Sequence, residues 1–351
     1  MKDPSMDADQ APVACAERPR VLTDVQIHQD ELWTNTTDFL DGVETRSLGA
    51  VGRWLDRRSA EPGVLLRALK LLVHQADYDA VVTSSLRTAQ VYGFLRTLCR
   101  VRTPAHVHLE LWLDEERNSF AWKLKRAFQR AAFASTDLLV TSARAEIDTY
   151  SERLGLPRDR FRFVFFHTNV LEPGAMGGEG GYAFAAGKTG RDYELLARAA
   201  VESGVDLVVL GDAASLRGVE FPPNVTVLTD EPYDRYLELL HGCDFVIVPL
   251  NDAKSSRGQV VMLEAMAVGK PVIATETVGT VDYVETGDNG ILVAPSDVDS
   301  LRSAIHRLGT DAVLRARLSK RALEQMKRHT FRRYVETILE HVQDAVSKQE
   351  A

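Results

Sequence analysis

The sequence predicts an α/β protein of two domains, each built around a parallel sheet, and three observations indicate this. Short apolar, β-branched runs alternate with segments of helical period along most of the chain, as buried parallel strands joined by helices do. The Gly-rich segment Glu172–Gly181 has no periodicity and separates two such series, as a linker would. The 351 residues of the chain are enough for two domains.

These observations set the expected domain boundaries. Residues 1–20 are polar with little periodicity, and we expect them to be disordered. The first domain is predicted over 21–171, the linker over 172–181 and the second domain over 182–330. A last helix is predicted within 331–351.

The first domain is predicted to alternate strands with four helices. Apolar runs predict strands at Val21–Ile27, Val43–Ser47, Ala80–Thr83, His106–Leu113, Asp137–Thr141 and Phe161–Phe166. Helical periodicity predicts helices at Val64–Ala76, Arg87–Cys99, Asn118–Ala134 and Ala143–Leu154. Ser84 and Ser85 precede the second of these helices and are expected to cap it.

The second domain repeats this alternation. Strands are predicted at Tyr182–Ala186, Leu207–Gly211, Asn224–Leu228, Phe245–Pro249 and Val272–Thr275. Helices are predicted from Tyr193 onward, at Asp234–Leu240, at Val260–Val268, and between Thr275 and the turn at Gly287. Three more helices are predicted at Leu301–Arg307, Ala312–Arg328 and Phe331–Val346.

Composition and charge exclude several classes of function. The net charge of −8 argues against nucleic acid as the main partner. Cys15, Cys99 and Cys243 are widely spaced and form no metal motif, which fits a reducing cytoplasm. No apolar run reaches the length of a membrane span. The sequence therefore predicts a cytoplasmic protein.

One carboxylate stands out within an otherwise apolar helix. Glu264 lies in Val260–Val268, whose other residues are all apolar. A buried charge is costly unless it is paired or hydrogen-bonded. Glu264 therefore either meets solvent or caps a loop at the helix edge, or accepts hydrogen bonds from ligand hydroxyl groups. The residues alone leave both readings open.

The surrounding motif carries a family resemblance. The motif comprises Glu264-Ala265-Met266-Ala267, Gly269, Pro271–Ala274 and Gly287-Asp288-Asn289-Gly290. It resembles the donor-nucleotide site of retaining glycosyltransferases with the GT-B fold, close to glycosyltransferase family 4. The resemblance implies two Rossmann-like domains facing across a cleft, with the C-terminal helix crossing back to the first domain.

The resemblance also implies a donor site with one departure from the family. Glu264 matches the glutamate that binds the ribose of the nucleotide, whereas the family's first glutamate falls on Ser256. That glutamate usually holds hydroxyl groups of the donor sugar. Neutral donors and backbone N–H groups at Ser255, Ser256, Gly258 and Gln259 are expected to take its place.

A Gly-containing turn is the expected diphosphate site. Gly187, Lys188 and Arg191 lie between a strand and the helix that begins near Tyr193, where helix N–H groups and cations favour an anion. The family carries Arg and Lys at similar places, which implies a catalytic role for Lys188 and Arg191. The alternative is a pair of solvated loop cations.

Acceptor-side residues are expected in the first domain. His106, His108 and Glu110 share one strand face, and related enzymes place a His at the end of this strand. His108 is therefore a catalytic candidate and Glu110 an acceptor-side candidate, with a structural hydrogen-bonding role as the alternative. Glu31 is a second acceptor-side candidate, in a loop without the family's usual Gly residues; a solvated turn residue is its alternative.

The helix Asn118–Ala134 is amphipathic and basic. Its aromatic residues Trp122, Phe128 and Phe133 interleave with four Lys and Arg residues. A solvated basic face is one interpretation. Contact with a membrane surface that carries a lipid-linked acceptor is the other.

The predicted function is transfer of a sugar from a nucleotide-sugar donor, UDP-, GDP- or similar, to a glycan, lipid-linked sugar or small-molecule acceptor. We see no Asp-x-Asp motif in a setting that suggests a metal, so we expect no metal and no cofactor. The family's usual outcome, retention, would follow a same-face route. Two alternatives stay open: a GT-B-like nucleotide-sugar epimerase, and a catalytically weakened nucleotide-binding scaffold that has lost motif Gly and Glu residues.

Overall fold

A computed structural model describes residues 19–24, 40–42, 63–114, 118–170, 173–174, 180–251 and 254–350. Within these ranges the chain forms two six-stranded sheets in which every strand pairing is parallel. The α/β class with two parallel-sheet domains is thereby confirmed.

The first sheet has the spatial order β2-β1-β3-β4-β5-β6. Its strands are β1 Val21–Thr23, β2 Leu40–Gly42, β3 Ala80–Thr83, β4 Ala105–His108, β5 Leu138–Thr141 and β6 Phe161–Phe163. The helices that cover it are α1 Val64–His74, α2 Leu86–Cys99, α3 Phe120–Phe133 and α4 Arg144–Leu154. Ser85 caps α2 as predicted, because its side chain accepts a hydrogen bond from the N–H of Thr88 at 3.3 Å.

The second sheet has the order β12-β11-β10-β7-β8-β9. Its strands are β7 Tyr182–Ala186, β8 Asp206–Gly211, β9 Val225–Thr229, β10 Phe245–Val248, β11 Val272–Thr275 and β12 Gly290–Val293. The helices of this part are α5 Tyr193–Ala200, α6 Tyr233–Gly242, α7 Gln259–Ala267, α8 Val298–Thr310 and α9 Ala312–Met326. Two apolar clusters, one on each face of the sheet, form its core.

The last helix, α10 Phe331–Glu350, crosses back to the first sheet. Its buried residues Phe331, Tyr334 and Ile338 belong to the same apolar cluster as Val107 and Val140 of strands β4 and β5. The amphipathic period of this helix supplies the apolar stripe that this contact needs.

In three places the structure adds to or differs from the predicted elements. The second strand in the described part of the chain is Leu40–Gly42, which pairs with β1; the predicted strand Val43–Ser47 lies outside the described residues. The predicted helix after β11 is a series of turns at 278–283. The apolar run Gly290–Val293 that follows these turns is a sixth strand, β12, which we did not predict.

The turns after β11 have a packing reason. Gly279 sits so close to the neighbouring loop that a Cβ atom there would lie 2.7 Å from the backbone N of Arg257. A regular helix carrying side chains could not make this approach. The turns thus hold the loop before α7 in place, and this loop forms part of the candidate site.

Candidate functional site

The carboxyl ends of both sheets meet at a cleft between the two domains, where parallel sheets usually bind ligands. A cavity of about 400 Å³ opens there. Its lining comes from both domains: Trp112 and Phe166 from the first, and Gly187, Thr189, Arg191 and the segment 256–261 from the second. Five of the predicted site residues therefore lie together, namely Gly187, Arg191, Ser256, Gly258 and Gln259.

The turn after β7 places one cation at this cavity. The Arg191 guanidinium donates from Nε to the carbonyl oxygen of Ala186 at 2.8 Å and from Nη1 to that of Thr189 at 3.1 Å. Gly187 has a φ of 127°, and a Cβ atom there would lie 2.4 Å from Arg191 Nη2. Only glycine allows this approach. Burial lowers the pKa of Arg191, which indicates a cation held in a poorly hydrated place.

Lys188 lies on the same turn, but its side chain is exposed and does not line the cavity. Its charge acts on Asp212. The pKa of Asp212 is lowered chiefly by hydrogen bonds from Ser215 and to a smaller extent by Lys188. The predicted pair of cations therefore does not meet in one place in this conformation.

Arg257 brings a second guanidinium group to the cavity, and we did not predict it. Its guanidinium carbon lies 5.6 Å from the ring centroid of Trp112 in the first domain, within the range of a cation–π contact. Arg257 stands between Ser256 and Gly258, two residues that we did select, so its position in that loop was the available signal. Trp112 is not adjacent to any residue that we predicted for the site, so its sequence position gave no indication of this role.

The start of α7 is held by the first domain. Gly258 precedes the helix with a φ of 82°, and a Cβ atom there would lie 2.7 Å from Val248. Gln259 donates from Nε2 to the carbonyl oxygen of Ser142 at 3.0 Å and accepts from the Ser142 hydroxyl at 3.2 Å. Gln259, a predicted donor-binding residue, thus links the two domains in this conformation.

Ser255 and Ser256 are both buried in the loop before α7. The backbone N–H of Ser256 donates to Glu146 Oε1 in α4 at 3.1 Å. Ser255 lines a second cavity of about 430 Å³, together with Tyr150, Arg126 and Arg130 of the first domain. The loop therefore separates two adjacent cavities.

Glu264 is only 1% exposed and does not reach solvent at the helix edge. Its Oε2 accepts from the Tyr236 hydroxyl at 2.5 Å. Its Oε1 accepts from Asn169 Nδ2 at 2.9 Å and from the Tyr233 hydroxyl at 3.3 Å. Hydrogen bonds from side chains of the protein thus stabilise the buried charge of Glu264. Asn169 follows the last strand of the first sheet, so this carboxylate also ties the hinge to the second domain.

His108 does not open on the cleft. Its ring is fully buried against Phe133, and Nδ1 lies 2.9 Å from the carbonyl oxygen and 3.1 Å from the hydroxyl of Thr83. Burial lowers the pKa of His108 to about 4, so its neutral form predominates near pH 7. His106, on the same face, is equally buried. The buried positions of both histidines agree with the alternative expectation for this strand face, a structural hydrogen-bonding role.

Glu110 lies at the junction of the first domain, the hinge and α10. Its Oε1 accepts from the Tyr334 hydroxyl at 3.0 Å and lies 3.8 Å from His167 Nε2. Desolvation raises the pKa of Glu110, and the Tyr334 hydrogen bond offsets part of this effect. Glu110 thus contacts residues that connect the two domains, namely His167 of the hinge and Tyr334 of α10. Glu31 lies outside the described residues.

Among the described residues, no group of three or more His, Cys, Asp or Glu side chains is arranged to hold a metal ion. In the same part of the chain, no helix is both long and apolar enough to cross a membrane.

Two family models match the sequence, and together they cover both domains. The model described as "Glycosyl transferase 4-like domain" matches residues 14–165. The model described as "Glycosyl transferases group 1" matches residues 191–311.

Curated relatives match over shorter segments. A D-inositol 3-phosphate glycosyltransferase of Stackebrandtia nassauensis is 32% identical over 124 residues, which are 35% of this chain and 27% of the relative. An uncharacterized glycosyltransferase of Methanocaldococcus jannaschii is 29% identical over 112 residues, 32% of this chain and 31% of the relative. The matched segments thus span less than a third of the length of either relative.

Solved structures match over most of the chain. HepE of Anabaena, in complex with UDP and glucose, aligns with a TM-score of 0.64 at 16% identity and covers 87% of this chain and 86% of its own. A sucrose-phosphate synthase of Thermosynechococcus elongatus aligns with a TM-score of 0.64 at 17% identity, over 88% and 84%. These alignments confirm the predicted GT-B fold.

The hydrogen bonds of Glu264 give a testable prediction for stability. Tyr236→Phe removes the donor to Oε2 and leaves a buried carboxylate oxygen without it, so we expect a loss of about 1–3 kcal/mol in the free energy of unfolding. Tyr233→Phe is the matched control, because Tyr233 is exposed and its hydrogen bond is longer. Urea unfolding of both variants measures the difference. Equal losses would contradict the view that Tyr236 is the principal donor.

Proposed function

We propose that this chain, which belongs to the GT-B glycosyltransferases of the group 1 and 4-like type, transfers a sugar from a nucleotide-sugar donor to an acceptor held by the first domain. One observation carries the proposal: two guanidinium groups, of Arg191 and Arg257, line one interdomain cavity beside the N-terminus of α7. Such a place suits the diphosphate of a nucleotide sugar.

We infer that this cavity stabilises the leaving diphosphate. Charge builds up on the diphosphate as the bond to the sugar breaks, and fixed cations and backbone N–H groups favour that charge. Arg191 is held by backbone carbonyl groups and Arg257 stacks on Trp112, so both are oriented before the donor arrives. Lys188, on the exposed side of the same turn, is proposed to join them from solvent.

For Glu264 we propose the ribose-binding role of the family. The carboxylate is covered by Asn169 and Tyr233, whose side chains lie on the exposed side of the contact. Ribose hydroxyl groups can replace the longer of these bonds, from Tyr233, without stranding the carboxylate. This exchange would couple nucleotide binding to the hinge through Asn169.

The donor is proposed to be a UDP-sugar or a close analogue, transferred with retention and without a metal. HepE, a structural neighbour at low identity, was solved with UDP and glucose, which supports testing uridine donors first. The described lining of this cavity contains no Asp or Glu side chain. This supports a same-face route for retention.

The first test is turnover of UDP-, GDP-, ADP- and TDP-sugars, with and without EDTA. A donor that binds at 100 times its dissociation constant should also stabilise the protein by about 2.7 kcal/mol, which a thermal-shift screen detects. We expect one nucleotide class to stabilise the protein and to release its diphosphate with acceptor present, in EDTA as well. Loss of activity in EDTA would contradict the metal-free route. Conversion of the donor to an isomer without acceptor would identify an epimerase, and binding without any turnover a scaffold.

The guanidinium groups give a second prediction. Arg257→Ala and Arg191→Ala should each lower kcat by about 10²–10³-fold, because charge on the diphosphate grows in the transition state. The effect on the dissociation constant of the bare nucleotide should be smaller, and Lys188→Ala should have the smallest effect on kcat. Steady-state kinetics and calorimetry give both quantities, with Arg317→Ala on the exposed face of α9 as the control. Variants that change only KM would mean that these cations bind the ground state alone.

We further propose that the acceptor is met at a membrane surface. Helices α1, α2 and α3 contain no Asp or Glu, although the whole chain has a net charge of −8. Along α3, Lys123 is exposed next to Phe120 and Leu124, at helical neighbour positions. Eight large apolar side chains are exposed on these three helices: Leu65, Leu69, Val73, Phe94, Leu98, Phe120, Leu124 and Phe128.

The part of this surface formed by α2 and α3 is continuous and suits an anionic bilayer. The rings of Phe94 in α2 and Phe128 in α3 lie 5.4 Å apart, so the apolar residues of the two helices join. A patch of exposed apolar residues among cations is typical of proteins that bind the headgroup region of anionic membranes.

Vesicle flotation tests this surface. We expect the protein to float with vesicles of phosphatidylserine and phosphatidylcholine, and the double variant Phe120→Ser/Leu124→Ser to lose most of this binding. Val313→Ser, at an equally exposed apolar position on α9, is the control and should bind as the wild type does. Binding that is insensitive to the double variant, or concentration-dependent dimerisation through these helices, would contradict the membrane assignment.

A further inference from the structure

The N-terminal turn of α4 reaches across the cleft into the donor domain. Glu146 is 1% exposed, and its Oε1 accepts from the Tyr150 hydroxyl at 2.9 Å and from the backbone N–H of Ser256 at 3.1 Å. Tyr150 lies one turn later on α4 and also accepts from the N–H of Leu113 at 3.3 Å. The carboxylate is thus oriented by its own domain and directed at the loop before α7.

Two polar atoms at this contact have no hydrogen-bond partner among the described residues. They are the second carboxylate oxygen of Glu146, Oε2, and the hydroxyl oxygen of Ser256. The Ser256 hydroxyl lies close enough to lower the pKa of Glu146, yet the pair does not form a hydrogen bond of normal geometry. Desolvation is the larger effect and raises that pKa. Buried polar atoms in folded proteins are nearly always satisfied, so two neighbouring exceptions need an explanation.

The other hydrogen bonds across the cleft leave no such open groups. Gln259 and Ser142 exchange two hydrogen bonds. Arg144 donates to Asp282 from its backbone N–H at 2.8 Å, and its Nε lies 3.3 Å from the same carboxylate. These pairs link the two domains, and none of their side-chain atoms is buried without a partner in the described part of the chain. A purely structural role for Glu146 would therefore leave its second oxygen unexplained.

The contact also lies between the two cavities. Ser256 lines the cavity that holds Arg191 and Arg257. Tyr150 and Ser255 line the cavity on the side of the first domain. A sugar passing from the diphosphate to an acceptor in the first domain would cross this boundary.

We propose that Glu146 is a sugar-binding residue supplied by the opposite domain, and that its Oε2 and the Ser256 hydroxyl together hold one hydroxyl group of the transferred sugar. The sugar O–H donates to the carboxylate oxygen, and the Ser256 O–H donates to the sugar oxygen. Because both atoms are buried in this conformation, the proposal requires that the domains part to admit the sugar and close on it. This inference rests on the proposed transferase function and makes Glu146 a determinant of donor specificity.

The test uses Glu146→Gln, which keeps an oxygen for the Ser256 N–H but replaces Oε2 by a group that cannot accept. Ser256→Ala is the second variant, and Asp148→Asn, exposed on the same helix and away from both cavities, is the control. Melting temperature, the dissociation constant of the bare nucleoside diphosphate, and kcat/KM are measured for the full chain. The donors are the preferred nucleotide sugar and its monodeoxy analogues.

We expect Glu146→Gln to lower kcat/KM for the parent donor by about 10–100-fold, as loss of a hydrogen bond to a charged acceptor would. The dissociation constant of the bare diphosphate should change by less than about twofold. One deoxy analogue should be used equally by wild type and variant, because it lacks the hydroxyl concerned. Asp148→Asn should match the wild type throughout.

Other results would overturn the inference. Equal losses with every donor and every deoxy analogue would show that Glu146 only docks the domains. A loss of affinity for the bare diphosphate as large as the loss of kcat/KM would show the same. Glu146→Gln could also lower the melting temperature so far that it cannot be assayed. In that case a stable Ser256→Ala with an unchanged ranking of donors would contradict the inference. If the wild type neither binds nor turns over any nucleotide sugar, the proposed function itself fails, and the inference fails with it. If the wild type turns over a nucleotide sugar but Glu146→Gln does not change the relative use of the deoxy analogues, only the inference fails and the proposed function stands.

Discussion

Parallel strand pairing is the constraint on which the rest of this molecule depends. Because every strand in each sheet runs the same way, the loops that follow the strands gather at one edge of each sheet. The two edges face each other, and α10 ties the end of the chain back to the first sheet. Loops far apart in the sequence, after β4 and β5 on one side and after β7 and β10 on the other, therefore form one cleft.

Two buried glutamates at the cleft differ in how fully their carboxylate oxygens are hydrogen-bonded. Glu264 accepts from three side-chain donors and uses both of its oxygens, so it can remain buried without a ligand. Glu146 uses only one oxygen, and the other is buried without a partner among the described residues. The first arrangement stabilises the helix core and ties the hinge to it. The second is suited to a group that arrives with the substrate, since a half-satisfied buried carboxylate is otherwise unfavourable.

Charge is also distributed according to the domains. The chain is acidic overall, yet the three helices that follow each other in the first domain, α1 to α3, carry only basic charges. The guanidinium groups at the cleft are held by backbone carbonyl groups and by an aromatic ring. An acidic protein can in this way keep one face suited to an anionic surface and one cavity suited to an anionic leaving group.

The sequence by itself determined most strands and helices and two of the segments that line the interdomain cavity. The signals involved are local: a buried parallel strand is an apolar run, and the loop before α7 and the turn after β7 each lie next to a helix N-terminus. Gly187, Arg191, Ser256, Gly258 and Gln259 accordingly line one cavity.

Only the tertiary structure decided which groups from distant parts of the chain these segments meet. Ser256 and Glu146 are separated by 110 positions, and Glu264 and Asn169 by 95, so no local pattern links them. The same limit explains His108. Both faces of a central parallel strand are covered, and alternation along the strand therefore shows which residues share a face but not whether that face meets the cleft. The packing of α3 on β4 placed His108 against Phe133, and that is a property of the fold rather than of the strand.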